Sequence, residues 1–172
     1  METVKSRPRI MMVDDVPENL ELLQSILSSD YSLESFSDSL KALDHAFATP
    51  PPDLVLLDIV MPELDGFEFC RLLKAAPAYA DIPVIFITAL DDAIDEQKGL
   101  SLGAADYIRK PFSAPVVIAR VKTHVKIKLL LDFLREEIAS LQNKLNHSSS
   151  DLVLLKKYIW AAQLARHGEI ED

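Results

Sequence analysis

The sequence predicts an α/β fold of five strand–helix units, (βα)₅: a doubly wound parallel sheet with its last helix extended beyond it. Three observations predict it. Short β-type runs alternate with helix-type runs from Arg9 to about Ser113. Most of the strand candidates are continuously apolar, the mark of a parallel sheet covered on both faces. No Gly/Ser-rich linker and no internal repeat divides the stretch. Crossovers between such strands are expected to be right-handed.

"RIMMVDD" reads as a buried strand ending on Asp14 and Asp15. "PENLELLQSILSS" follows, with Pro17 near a helix start and Leu20, Leu23 and Leu27 at helical spacing. "YSLESFS" alternates as a half-buried strand does, and "SLKALDHAFAT" is a helix stopped by the prolines at 50–52. "DLVLLDI" is a second fully buried strand, "MPELDG" a turn, and "FEFCRLLKAA" a helix. "IPVIFITA" is a third buried strand, and "DDAIDEQKGLSLG" a helix closed by Gly103. "ADYIRK" is a short strand, "PF" a turn, and a new helix begins near Ser113.

The 172 residues are enough for one domain and an extension. A hydrophobic content of 49% fits a folded core. The net charge of −9 argues against nucleic acid or an anionic membrane as a direct partner. The acidity belongs to residues 1–126, where 20 Asp/Glu face 12 Lys/Arg; residues 127–172 are nearly balanced. Cys70 is the single cysteine, so a reducing compartment is the default. The start "METVKSRPR" is polar, with no signal peptide, and no apolar stretch approaches a bilayer span. A cytoplasmic protein is expected.

After Ser113 the pattern changes. Read as one helix from 113 to 146, the next segment is roughly 50 Å long at about 1.5 Å per residue, too long to lie along a domain of this size. Ile127, Leu131, Leu134, Ile138, Leu141 and Leu145 form a heptad seam, and Leu152, Leu155 and Ile159 continue it in frame, with Ser148 at the intervening seam position. The serines at 148–150 suggest a local break before a second amphipathic helix. Either the seam folds back on its own domain or it pairs with a second copy as a parallel coiled coil. The in-frame continuation favours a homodimer through these C-terminal helices.

In an open parallel sheet, ligands bind beyond the carboxyl ends of the strands. Asp14 and Asp15, Asp58, Thr88 and Lys110 all fall at such ends. Three carboxylates together repel unless a cation neutralises them. An all-oxygen set with no His or Cys nearby favours Mg²⁺ over zinc. A metal, a carboxylate, a hydroxyl and an ammonium are the parts needed to receive a phosphoryl group, with Asp58 as nucleophile. Plainer readings exist: Asp14 and Asp15 as caps of the next helix, Asp58 and Lys110 as a structural ion pair, Thr88 as an ordinary strand residue. Five such residues on one sheet edge make coincidence the poorer explanation.

The acidic pair "DD", "LLDIVMPELDGFE", "FITA" and "DYIRKPF" together resemble the receiver domains of two-component response regulators, over about residues 8–126. The resemblance implies a flavodoxin-like strand order, 2-1-3-4-5. It implies that Asp58 accepts a phosphoryl group from the phosphohistidine of a sensor histidine kinase or phosphotransfer protein. Asp14, Asp15, Asp58 and the backbone carbonyl of Val60 would bind Mg²⁺, and Thr88 and Lys110 would contact phosphoryl oxygens. Tyr107 matches the aromatic that swings inward when the threonine shifts; its plainer reading is a half-buried strand tyrosine. The Lys110–Pro111 peptide would be cis. The segments are then a receiver over 1–126, a coiled-coil extension over 127–146, and a break with a second helix over 147–172. The abrupt ending "ARHGEIED" is expected of a fragment that leads to an output domain.

Two positions depart towards the apolar. Val60 stands two residues after Asp58 and Leu90 two after Thr88, on the path of the water that hydrolyses phosphoaspartate in the family. Neither offers a hydrogen bond to that water, so a long-lived phosphoryl state is expected. The protein would then be a phosphoacceptor, not an enzyme, with Mg²⁺-dependent self-phosphorylation and slow autodephosphorylation only. The rivals are an aspartyl-nucleophile phosphohydrolase of the haloacid dehalogenase type and a dimerisation module independent of phosphorylation. The first needs a second carboxylate where Val60 stands; the second does not need the five-residue set.

Overall fold

The computed structural model describes residues 7–89 and 93–167, with the backbone alone over 93–96, 148–151 and 161–167. The elements alternate as expected: β1 (Arg9–Val13), α1 (Pro17–Leu27), β2 (Ser32–Phe36), α2 (Ser39–Ala48), β3 (Leu54–Leu57), α3 (Gly66–Ala75), β4 (Val84–Thr88), α4 (Ala93–Ser101), β5 (Asp106–Arg109) and α5 (Ala114–His167). All strand pairs are parallel, in the flavodoxin-like order β2-β1-β3-β4-β5.

Successive strand side chains point to opposite faces, so each apolar run feeds two cores. Met11, Val13, Val55, Leu57, Val84 and Phe86 pack with Ala42, Leu43 and Ala46 of α2 and Phe69, Cys70 and Leu73 of α3. Ile10, Met12, Leu54, Leu56, Ile85 and Ile87, with Ile108 of β5, meet Leu20, Leu23 and Leu27 of α1 and Val117, Val121 and Val125 of α5. The edge strand β2 is only half buried, as its alternation predicts.

Local chemistry sets the helix ends. Asp38 caps α2 by accepting the Lys41 N–H at 2.9 Å, and Asp65 caps α3 by accepting that of Glu68 at 2.8 Å. Gly103 (φ +90°) closes α4: its N–H reaches the Leu100 carbonyl at 3.0 Å, and the Ala104 N–H reaches that of Gly99 at 3.2 Å. Asp106 of β5 accepts hydrogen bonds from Arg120 and from His124 (3.1 Å), tying β5 to the first turns of α5.

The chain divides into two compact units, Met1–Leu129 and Leu130–Asp172. The second is helical over 130–167. The break expected at Ser148–Ser150 is absent, since α5 runs unbroken to His167. Serine disfavours a helix by well under about 1 kcal/mol per residue. The strong breakers are absent too: neither Pro nor Gly occurs between Pro115 and Gly168. Three serines are therefore too weak a signal to interrupt the helix, contrary to the expectation from the sequence.

Candidate functional site

The buried strands carry their polar endings to one edge of the sheet. The Asp58 N–H donates to the Val13 carbonyl at 2.8 Å, so the residues following β1 and β3 stand side by side. The Lys110 N–H donates to the Thr88 carbonyl at 2.9 Å, which joins the ends of β4 and β5. Asp14 and Thr88 are 1% exposed and Asp58 is 5% exposed; Asp15 is half buried. The Lys110–Pro111 peptide is cis.

Lys110 Nζ donates to Asp14 Oδ2 and to Asp58 Oδ2, both at 2.8 Å. Asp58 Oδ1 accepts the Ile59 N–H at 2.8 Å, which fixes the carboxylate plane. Asp14 Oδ1 accepts the Val16 N–H and Asn19 Nδ2, both at 3.0 Å. Asp14 therefore does not cap α1. The cap position belongs to Val16, whose side chain makes no cap bond, and Pro17 begins the helix.

Burial, reinforced by the charge of Asp14, pushes the Asp58 carboxyl above its ordinary value, although Lys110 opposes this. For Lys110, burial works against the ammonium, but the hydrogen bonds and charges of Asp14 and Asp58 outweigh it and raise its pKa. The two directions agree: one ammonium is shared by two buried carboxylates, so the lysine is over-supplied with counter-charge and Asp58 is under-supplied. One carboxylate oxygen from each of Asp14, Asp15 and Asp58 lies within 4.8 Å of the others. A surplus of negative charge among hard oxygen donors suits a divalent cation, and these residues fit one.

Thr88 and Tyr107, the expected switch pair, occupy neighbouring strands, with Phe86 opposite Tyr107 in the register. The Tyr107 ring packs on Phe86 at 5.2 Å between centroids. Val60 is 60% exposed, two residues beyond Asp58. Leu90 lies outside the described residues.

Sequence reasoning missed Asn19 and the reason for Gly66. Asn19 braces Asp14, but a polar residue in a first helical turn carries no distinguishing signal. Gly66 permits a close approach: a Cβ there would lie 2.2 Å from the Asp58 carbonyl oxygen. Its signal was the turn "MPELDG", read as a change of direction rather than as a support for Asp58.

The sheet order and the acidic, lysine-bridged edge define a doubly wound α/β domain built to hold charge at its carboxyl end. The chain belongs to the family described as "Response regulator receiver domain", whose sequence model matches residues 10–122. It is 42% identical over 133 residues to the response regulator PleD of Caulobacter vibrioides, covering 77% of this chain and 29% of that protein. A probable cyclic di-GMP phosphodiesterase of Vibrio cholerae is 39% identical over 147 residues, 86% of this chain and 33% of that protein. The solved receiver domain of a signal transduction histidine kinase from Syntrophus aciditrophicus matches with a TM-score of 0.64 and 37% identity, over 69% of this chain and 90% of that one. The chain thus spans a third or less of the two full-length relatives. Membership makes the domain a phosphorelay receiver, a phosphoacceptor, and the phosphohydrolase alternative is not favoured.

Proposed function

We propose that Asp58 is the phosphoacceptor and that a histidine kinase or phosphotransfer protein is the donor. In the transfer, a carboxylate oxygen of Asp58 forms the new P–O bond as the P–N bond of the donor phosphohistidine breaks. The imidazole leaves with the bonding pair and takes up a proton. Asp14, Asp15, Asp58 and the carbonyl of Val60 hold Mg²⁺, which supplies charge neutralisation at the phosphoryl oxygens. Lys110 lies 2.8 Å from the Asp58 carboxylate and supplies a further positive charge there. Thr88 offers a hydroxyl to the same oxygens, and Tyr107 follows Thr88 inward. The observation that carries this reading is a 5% exposed carboxylate, Asp58, that shares the Lys110 ammonium with a second buried aspartate at the open end of the sheet.

The test is incubation of the full chain with acetyl phosphate, with and without Mg²⁺, following phosphate release and protein mass together. The reading predicts one phosphoryl group per chain, formed in the presence of Mg²⁺ and not formed when the metal is chelated beforehand. Continuous release of phosphate without an adduct points to a hydrolase. Neither adduct nor release points to a scaffold.

We further propose that the heptad seam of α5 pairs with a second copy in parallel, carrying the receiver's state to an output. Supporting this, Ile127, Leu131, Leu134, Ile138, Leu141 and Leu145 are all 43–68% exposed along the helix. A continuous apolar stripe of that length is stabilised by burial in a partner's stripe. Cytoplasmic residence is proposed as well. Among the described residues no helix is long and apolar enough to cross a membrane. Cys70 is buried and free, its thiol pushed up by burial to about 11.

A further inference from the structure

α4 ends with two glycines, and only one is explained by its backbone. Gly103 adopts φ +90°, where glycine is favoured. Gly99 lies within the helix and is not among the positive-φ residues, so its backbone admits any side chain. Glycine inside a helix is disfavoured relative to alanine. A local rule broken without a backbone reason points to a packing or functional one.

That reason is Tyr107. A Cβ on Gly99 would stand 1.9 Å from Tyr107 Oη, 2.8 Å from its Cζ and 2.9 Å from Phe86 Cε2. Phe86 is fully buried and cannot retreat. Tyr107 is half buried, and it is the terminal part of its side chain that meets the notch, so it is the group that must move. Behind it, Tyr107, Phe86 and Phe67 form a row of rings from β5, β4 and α3, with centroid separations of 5.2 and 5.5 Å. Lys98, next to Gly99, closes the far end of the row with its ammonium 4.2 Å from the Phe67 centroid. Consecutive residues of α4 therefore grip both ends of one aromatic row, and Phe86 in that row stands two residues before Thr88.

We propose that Gly99 is a positioning residue for the receiver switch: the missing side chain forms the notch in α4 that admits the Tyr107 ring where it packs, half buried, against Phe86. This rests on the reading of Tyr107 as the switch aromatic. The notch couples α4 to β5, so any shift of Thr88 that frees or draws in the ring is felt by α4 through its own backbone. Filling the notch leaves Asp58, Asp14, Asp15 and Lys110 untouched and uncouples the ring from them.

The experiment uses the full chain carrying ring-¹³C tyrosine, with the Tyr107 resonance assigned by its loss in Tyr107→Phe. Spectra are recorded before and after Mg²⁺ and acetyl phosphate, with the Asp58 adduct followed by mass. In Gly99→Ala the Tyr107 signal is expected at a solvent-like position in both states, while the adduct forms to the wild-type extent. The variant's melting temperature falls. In a Tyr107→Ala background the same change raises it, because alanine is the better helix former once the ring is gone. An unmoved Tyr107 signal in Gly99→Ala overturns the proposal, as does an equal fall in melting temperature in both backgrounds. If the wild-type signal ignores phosphorylation although the adduct forms, the switch reading of Tyr107 fails. The notch is then judged on the Gly99→Ala displacement alone.

Discussion

α1 and the seam of α5 use the same chemistry with opposite results. Leu20, Leu23 and Leu27 repeat at helical spacing and vanish into the sheet, whereas Leu131, Leu134, Ile138, Leu141 and Leu145 repeat as regularly and remain exposed. Full burial of such a side chain is worth roughly 1.5–3 kcal/mol. The sheet therefore supplies the partners that the α1 leucines need, while the exposed seam residues have that free energy still to gain from another surface. Periodicity alone does not distinguish the two cases. A partner within the chain does.

The largest effects should separate the units cleanly. If the proposed coiled coil forms, paired substitution Leu134→Glu and Leu141→Glu should convert the wild-type dimer wholly to monomer in sedimentation equilibrium and leave the melting of the sheet unit unchanged. Leu23→Ala should do the reverse, lowering the stability of the sheet unit by about 2–5 kcal/mol while the oligomeric state stands. If the glutamates leave the mass unchanged, the seam has another partner or none.

A smaller effect comes from Asp106, which joins β5 to α5. Burial disfavours its charge, but bonds from Arg120, the Tyr107 N–H and His124 prevail and hold its carboxyl below the ordinary value. Glu34 behaves alike: burial opposes the charge, and Arg9 and His45 overcome it. With both native values depressed, the unfolded chain binds more protons. These groups stabilise the fold above their unfolded values, near about 4, and that contribution disappears as pH falls through the lower native values. Asp106→Asn should flatten the acid limb of a denaturation series between about pH 5 and 2. An unchanged slope contradicts the assignment.

Smaller still is the lifetime of the phosphoryl group. Val60→Asn, which offers a water a hydrogen bond, should shorten it severalfold, and Leu90→Glu should act in the same direction. A wild-type half-life of seconds, unaltered by either change, removes the apolar-gate explanation. Smallest is Glu63, whose φ of +65° in the turn after β3 is strained for a side chain. Glu63→Gly should raise stability by at most about 1 kcal/mol in urea titration, because glycine's greater freedom when unfolded offsets part of the relief.

The five strands, Asp14, Asp15, Asp58, Thr88, Lys110 and the terminating role of Gly103 were legible because each rests on a local rule: a buried run ending in a polar group, or a glycine past a helix. Asn19 and the notch at Gly99 were not, since their meaning lies in residues brought near by the sheet, Asp14 for one and Tyr107 for the other. The serines at 148–150 were misread for the opposite reason. A cluster of small polar residues looks like a loop, yet nothing in it forbids a helix. The α1 cap shows competition for one group: Asp14 is close enough in sequence to serve the helix, but Lys110 and Asn19 engage it.

Asp58 is proposed to be the one residue that carries the phosphoryl group. The most direct measurement treats the Mg²⁺- and acetyl phosphate-loaded chain with borohydride, which reduces an acyl phosphate of aspartate to homoserine, and maps the product by peptide mass spectrometry. Homoserine is expected at position 58 and at no other aspartate, with none in Asp58→Asn. Homoserine at Asp14 or Asp15, or none at all in a wild-type chain that has gained a phosphoryl group, would contradict it.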